Sequence, residues 1–121
     1  MFTIRNMRVD DVEAVARMVA LDHDPDPEKG CREAKKHTLD HLDIVPQNCY
    51  VVEKMSGEVV AAMVLHPQEK VFEIEDFHVK QMEQNQQALI LLKAILMEYM
   101  KTVDTEVLCC PYAMKRLIAP E

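Results

Sequence analysis

Residues 71–92 read VFEIEDFHVKQMEQNQQALILL, and this stretch decides the fold. Its first nine residues alternate between apolar and polar, as a half-buried strand does, but the alternation changes phase partway along. Phe72 and Ile74 share one face, whereas Phe77 and Val79 have the opposite parity. A single extra residue near Glu75 or Asp76 would return all four to one side, so the sequence predicts a β-bulge there.

The strongest helical pattern follows, from about residue 85 to residue 101. Its apolar stripe consists of Ala88, Leu91, Leu92, Ile95, Leu96 and Tyr99. Upstream, we expect a strand at 2–5, a helix at 10–21, a second helix at 27–42, and a hairpin of strands at 49–53 and 59–65. In the second helix the predicted inward residues are Cys31, Ala34, Thr38, Leu39 and Leu42. A last short strand is expected at 106–110.

The composition and net charge of the chain argue against several classes of function. The 121 residues suit one domain, 1–121, and the composition is globular. A net charge of -7 argues against nucleic acid and anionic membranes as partners. No apolar window could span a bilayer, and the N-terminal residues do not resemble a signal peptide. The four cysteines contain no CxxC spacing, so we expect reduced thiols and a cytoplasmic protein.

The predicted order of elements resembles the GNAT N-acetyltransferase superfamily through its fifth strand, over roughly residues 2–111. The opening Phe2-Thr3-Ile4-Arg5, followed by Asp10-Asp11 and a helix, is similar to that family, as is a bulged fourth strand. The resemblance implies a GNAT-like α/β fold of the α+β, mixed-sheet type, truncated after about the fifth strand. It also implies acetyl-CoA as cofactor, with the pantetheine arm entering where the bulge splays the sheet.

The family's phosphate loop follows this strand as Gln or Arg, two residues, Gly, one residue, then Gly or Ala. Counted from Val79, Gln84 falls on the first position, Gln87 on the first glycine and Leu89 on the second. These four are the cofactor-binding positions that the resemblance implies. Glycines let backbone N–H groups approach a pyrophosphate, so their replacement predicts weak or lost acetyl-CoA binding.

Glu73 and Glu75 lie two apart on the bulged strand. By resemblance, either could be the general base of an acetyltransferase. In that mechanism an amine attacks the thioester, Glu75 accepts the proton and backbone N–H groups near Val79 polarise the carbonyl. The same two glutamates also fit the solvated polar face of a half-exposed strand, and that interpretation is favoured.

His37 and His41 lie four apart, a spacing that places both imidazoles on one face of a helix. No third ligand is evident in the sequence, so we expect a solvated helix face and no metal.

Two functions from different classes remain open. One is a GNAT-like acetyltransferase with a degenerate loop. The other is a non-catalytic binding or regulatory module on the same fold. In either case the apolar strand at 106–110 would be an open sheet edge, so we expect a homodimer that covers this edge or the tail from Tyr112 to Glu121.

Overall fold

The computed structural model describes residues 1–23, 27–68, 70–81, 83–102 and 105–109. The elements follow the predicted order of one strand, two helices, three strands, a helix and a strand. They are β1 (Phe2–Asn6), α1 (Val12–His23), α2 (Pro27–Ile44), β2 (Cys49–Lys54), β3 (Val59–Gln68), β4 (Lys70–Val79), α3 (Gln86–Thr102) and β5 (Thr105–Cys109). Short 3-10 turns at Val9–Asp11 and Pro46–Asn48 precede α1 and β2.

The strands form one mixed sheet in the order β1-β2-β3-β4-β5. The first four strands are antiparallel neighbours, and β5 pairs with β4 in parallel. A parallel pair needs a crossover connection, which α3 supplies. The predicted mixed-sheet α/β fold is therefore confirmed. The predicted tail from Tyr112 to Glu121 lies outside the described residues.

The predicted bulge in β4 is confirmed by the pairing of β4 with β3. Val64 pairs with Asp76, while the next residue, Leu65, pairs with Ile74, so Glu75 is the extra residue. Because of it, Ile74 and Phe77 face the same core although they differ in parity. The side chain of Phe72 lies outside the part of the chain that the structure describes.

The two faces of the sheet carry separate cores. On one face, α3 packs against strands β1 to β4, and its buried apolar residues are Ala88, Leu89, Leu92 and Leu96. On the other face, α1 and α2 cover a second cluster that includes Val15, Val51 and Val64. The bulge keeps apolar side chains of β4 on the α3 face and directs Asp76 and His78 toward α2.

Within the described residues, β4 pairs with β5 only before the bulge. The register of this pairing runs from Lys70 with Thr105 to Glu73 with Cys109. Within the described residues, the segment of β4 from Asp76 to Val79 has no β5 partner. The described β4–β5 pairing therefore lies before the bulge, the point at which the resemblance implies an opening.

Candidate functional site

A cavity of about 630 Å³ lies where β4 ends. Three segments line it: the start of α1 with its preceding turn, the β2–β3 turn, and the end of β4. The lining residues are Asp10, Asp11, Ala14, Arg17, Met18, Gly57, Glu58, Val59, Val79, Lys80 and Gln81. Gly57 has a φ of 93°, a conformation that glycine allows without steric cost, and it makes the tight β2–β3 turn.

The two cations in the cavity wall are already paired with carboxylates. Lys80 Nζ donates to Glu58 Oε2 at 2.9 Å, and Arg17 donates to Glu13 at 3.0 Å. The hydrogen bond and the positive charge of Lys80 hold the pKa of Glu58 below its usual range. An incoming anion must therefore compete with these carboxylates for each of the two cations.

The cavity wall contains three carboxylates, those of Asp10, Asp11 and Glu58. The carboxylate of Asp11 is held in place by hydrogen bonds from Arg5. Two Arg5 nitrogens donate to the two Asp11 oxygens at 2.7 and 2.9 Å, and Arg5 also contacts Glu53. Burial pushes the pKa of Asp11 upward, but the hydrogen bonds from Arg5 and from the Arg8 backbone N–H hold it below its usual range. The hydrogen bonds to Asp11 and Glu53 raise the pKa of Arg5 above its usual range. Asp11 is thus a fixed, ionised group near neutral pH.

We expect Arg5→Met to destabilise the protein at pH 7 by about 2–4 kcal/mol, because Asp11 is left buried without its counter-charge. Stability from a carboxyl with a lowered pKa is fully present above its unfolded pKa and disappears as the pH falls through the folded pKa. The difference between parent and variant should therefore shrink below about pH 4. Urea unfolding at pH 7 and pH 3 measures it. Arg17→Met, which removes an exposed pair, should change stability by less than about 0.5 kcal/mol.

Hydrogen bonds hold the described part of the loop between β4 and α3 in place. Lys80 N donates to Val60 O at 2.8 Å, and Gln84 N donates to Gln81 O at 2.8 Å. The side chain of Asn85 is buried and donates to Lys80 O at 2.6 Å, and its backbone oxygen accepts from Ala88 N. Gln81 adopts a φ of 47°, which is uncommon for a residue with a side chain. The described part of the loop, which excludes Met82, therefore has a defined shape without any glycine.

The four predicted cofactor positions are dispersed around this loop. Val79 lines the cavity and also belongs to the α3-facing core. Gln84 and Gln87 are exposed. Leu89, on the sheet-facing side of α3, is buried in the same core as Val79. Of the two residues at glycine positions, only Gln87 therefore presents its side chain at the surface of the first helical turn.

The predicted catalytic glutamates are placed by their backbone alone. Glu75 is the bulge residue, and Glu73 pairs with His66 of β3 and Cys109 of β5. Their side chains lie outside the described part of the chain. Their role as general base therefore stays a prediction.

A histidine–aspartate cluster beside the bulge was not foreseen from the sequence. Asp76 Oδ1 lies 3.4 Å from His78 Nε2, and Asp76 Oδ2 lies 3.8 Å from His41 Nδ1 and 4.0 Å from His37 Nε2. The prediction of a solvated helix face is confirmed for His37, which is exposed, but it is wrong for His41, which is buried. The prediction that Leu39 points inward is also wrong, since this residue is 39% exposed. The spacing of the histidines and the predicted bulge were the two signals that, combined, could have located this cluster.

Burial and the neighbouring histidines shift the pKa of Asp76 in opposite directions. Burial pushes its pKa upward, but the hydrogen bond from His78 and the nearby histidine charges hold the pKa below its usual range. The neighbouring thiol of Cys49 is affected in the opposite sense, since burial and the charge of Asp76 raise its pKa to about 11. Asp76 is therefore a partly buried carboxylate surrounded by three imidazoles.

Solved structures share this architecture, although no protein-family model and no curated protein sequence matches the chain. A protein from Pyrococcus horikoshii has a TM-score of 0.63 at 20% identity, over 79% of this chain and 34% of that one. Glucosamine-6-phosphate N-acetyltransferase from Arabidopsis thaliana has a TM-score of 0.61 at 14% identity, over 96% and 85%. The chain has the GNAT acetyltransferase fold. PaiA N-acetyltransferase from Thermoplasma acidophilum, solved with coenzyme A, has the same fold at a TM-score of 0.60 and 13% identity, over 82% of this chain and 74% of that one.

These comparisons confirm the fold that the resemblance implied, and one of these structures was solved with coenzyme A. The chain spans about a third of the Pyrococcus horikoshii protein and most of the other two. Within the described residues, no helix is both long enough and apolar enough to cross a membrane.

Proposed function

We propose that this chain is an acetyltransferase-fold protein that binds acetyl-CoA weakly and transfers acetyl groups slowly. The observation that carries the proposal is the acidic wall of the cavity at the end of β4. Asp10, Asp11 and Glu58 contribute three carboxylates there, and Lys80 is engaged by Glu58 at 2.9 Å. Of the four family positions only Val79 lines this cavity, which reaches the start of the β4–α3 loop at Lys80 and Gln81. A pyrophosphate at the start of this loop would meet carboxylates instead of free cations.

The residues therefore do not fit the cofactor's phosphates. Charge-assisted hydrogen bonds to phosphate are roughly twice as strong as neutral ones. Lys80 is the nearest basic residue before α3. To bind phosphate it would have to give up its ion pair with Glu58, so little binding free energy would be gained. Gln84 can offer only neutral donors at the position where Arg is common in the family.

The first turn of α3 adds a steric obstacle. A helix N-terminus offers backbone N–H groups and positive potential, which favour a bound anion. Gln87 lies in this turn with an exposed side chain, where the family's glycine would leave the backbone open. A phosphate approaching these N–H groups must displace that side chain.

The proposal is tested by Glu58→Gln, which removes one carboxylate of the wall and releases Lys80. We expect coenzyme A affinity to rise by up to about fivefold, since an exposed carboxylate competes only weakly for Lys80. Thermal-shift titration with coenzyme A at low salt measures the change. Glu98→Gln, which removes the same charge near the far end of α3 from its pair with Lys101, is the control. An equal rise in both variants, or no rise in Glu58→Gln, would contradict the proposed role of the acidic wall.

The second candidate is a non-catalytic module that works as a homodimer, and the edge position of β5 favours it. Among the described strands, β5 ends the sheet, and it pairs only with β4. Unprotected edge strands readily pair with another chain. We expect light scattering at micromolar concentration to give twice the 14.0 kDa chain mass. A monomer mass would contradict the dimer.

A further inference from the structure

We propose that His37, His41 and Asp76 form a binding site for a divalent transition-metal ion such as Zn²⁺. The three residues offer two imidazole nitrogens and one carboxylate oxygen, and these atoms all lie within 4.8 Å of one another. Two imidazoles and a carboxylate are a ligand set that Zn²⁺ uses in proteins, with a fourth position left for water. The site is distinct from the acidic cavity at the end of β4.

The helix supplies two ligands at a spacing suited to a metal. His37 and His41 lie one turn apart on α2, so their rings project from the same face. The ring centroids are 4.1 Å apart and the planes are nearly perpendicular, at 78°. Metal–nitrogen bonds of about 2.1 Å at tetrahedral angles place two ligand atoms about 3.4 Å apart. The separations to Asp76 Oδ2 are 3.8 and 4.0 Å, and all three ligand atoms lie within 4.8 Å, so side-chain rotations would have to close the set to this value around an ion.

The bulged strand supplies the third ligand and a residue that orients it. Glu75 takes up the extra position in β4, which places Asp76 opposite Val64 on the α2 side of the sheet. Asp76 Oδ2 is the oxygen near His37 and His41, whereas Oδ1 lies 3.4 Å from His78 Nε2. Such a contact to the second oxygen holds a metal-binding carboxylate in place. His78 is thus a positioning residue of the site.

Charge and access are also consistent with a cation. Asp76 is a carboxylate with 13% of its side chain exposed, and a divalent ion would compensate its charge. The side chains of His41 and His78 are similarly buried, but that of His37 is 54% exposed. An ion can therefore enter from the His37 side. The nearby Cys49 donates its S–H to Val45 O at 3.3 Å, so its thiol is directed to the backbone.

Calorimetric titration of the tag-free, metal-stripped chain with Zn²⁺ tests the proposal, and it should give one site with a micromolar or tighter dissociation constant. His37→Ala should weaken binding at least tenfold without unfolding the chain, because this ligand is largely exposed. Asp40→Asn, an exposed neighbour on the same helix, is the control and should bind within twofold of the parent.

A Cys31→Ser variant separates this site from adventitious thiol binding, since Cys31 lies on the same helix and is partly exposed. Its Zn²⁺ affinity should equal that of the parent. The proposal is overturned if the parent binds no Zn²⁺ up to millimolar concentration. It is equally overturned if His37→Ala binds as the parent does, or if Cys31→Ser abolishes binding.

Discussion

Insertion of one alanine between Asp76 and Glu75, the bulge residue of β4, should prevent the chain from folding. The bulge accommodates one extra residue, so with a second one the side chains that follow would exchange faces relative to Ile74. Phe77 and Val79 would leave the core beneath α3, at a cost of about 1.5–3 kcal/mol each. Asp76 would enter that apolar core as an unpaired charge, at a cost of several kcal/mol more. The sum, on the order of 10 kcal/mol, is comparable to the whole stability of an ordinary domain.

Circular dichroism and urea unfolding measure this effect, with Glu75→Ala as the matched control. The substitution keeps the residue count and hence the register, so it should retain cooperative unfolding. The insertion should show no cooperative transition. If it unfolds cooperatively near the parent's midpoint, the bulge does not determine which side chains of β4 face the core.

Local periodicity explains why much of the fold could be predicted from the sequence. The parity change between Ile74 and Phe77 predicts the bulge because both lie in one strand, and strand register depends on side-chain alternation. The stripe of α3 likewise lies within a single helix, and its predicted inward residues, such as Leu92 and Leu96, are buried. Such signals need no knowledge of other elements.

The candidate site could not be predicted in the same way, because it joins distant segments. Asp76 meets His41 only because α2 covers the β4 face that the bulge turns toward it. The pattern of α2 was too weak to place His41 inward instead of Leu39. The Lys80–Glu58 pair similarly depends on how the β2–β3 turn approaches the end of β4.

Acetyl-CoA should bind with a dissociation constant in the millimolar range or weaker. Losing two good phosphate contacts, at about 1.5–3 kcal/mol each, weakens binding a hundredfold or more. The acidic wall of the cavity at the end of β4, the neutral Gln84 and the exposed Gln87 all act in this direction.

Gln87→Gly should strengthen acetyl-CoA binding by exposing the N–H groups of the first turn of α3. We expect this variant to lose up to about 1 kcal/mol of stability, as glycine does within a helix. Leu89→Gly is unsuitable as a companion because Leu89 is a core residue. An unchanged or weaker affinity in Gln87→Gly would show that its side chain is not the obstacle.

The most direct test of the central claim, a GNAT fold with a disabled phosphate site, is calorimetric titration of the parent chain with acetyl-CoA and with free coenzyme A. We predict no saturable binding of either below about 1 mM, which corresponds to a binding free energy weaker than about -4 kcal/mol. Saturable binding of acetyl-CoA at low micromolar concentration would contradict the claim and favour an active acetyltransferase.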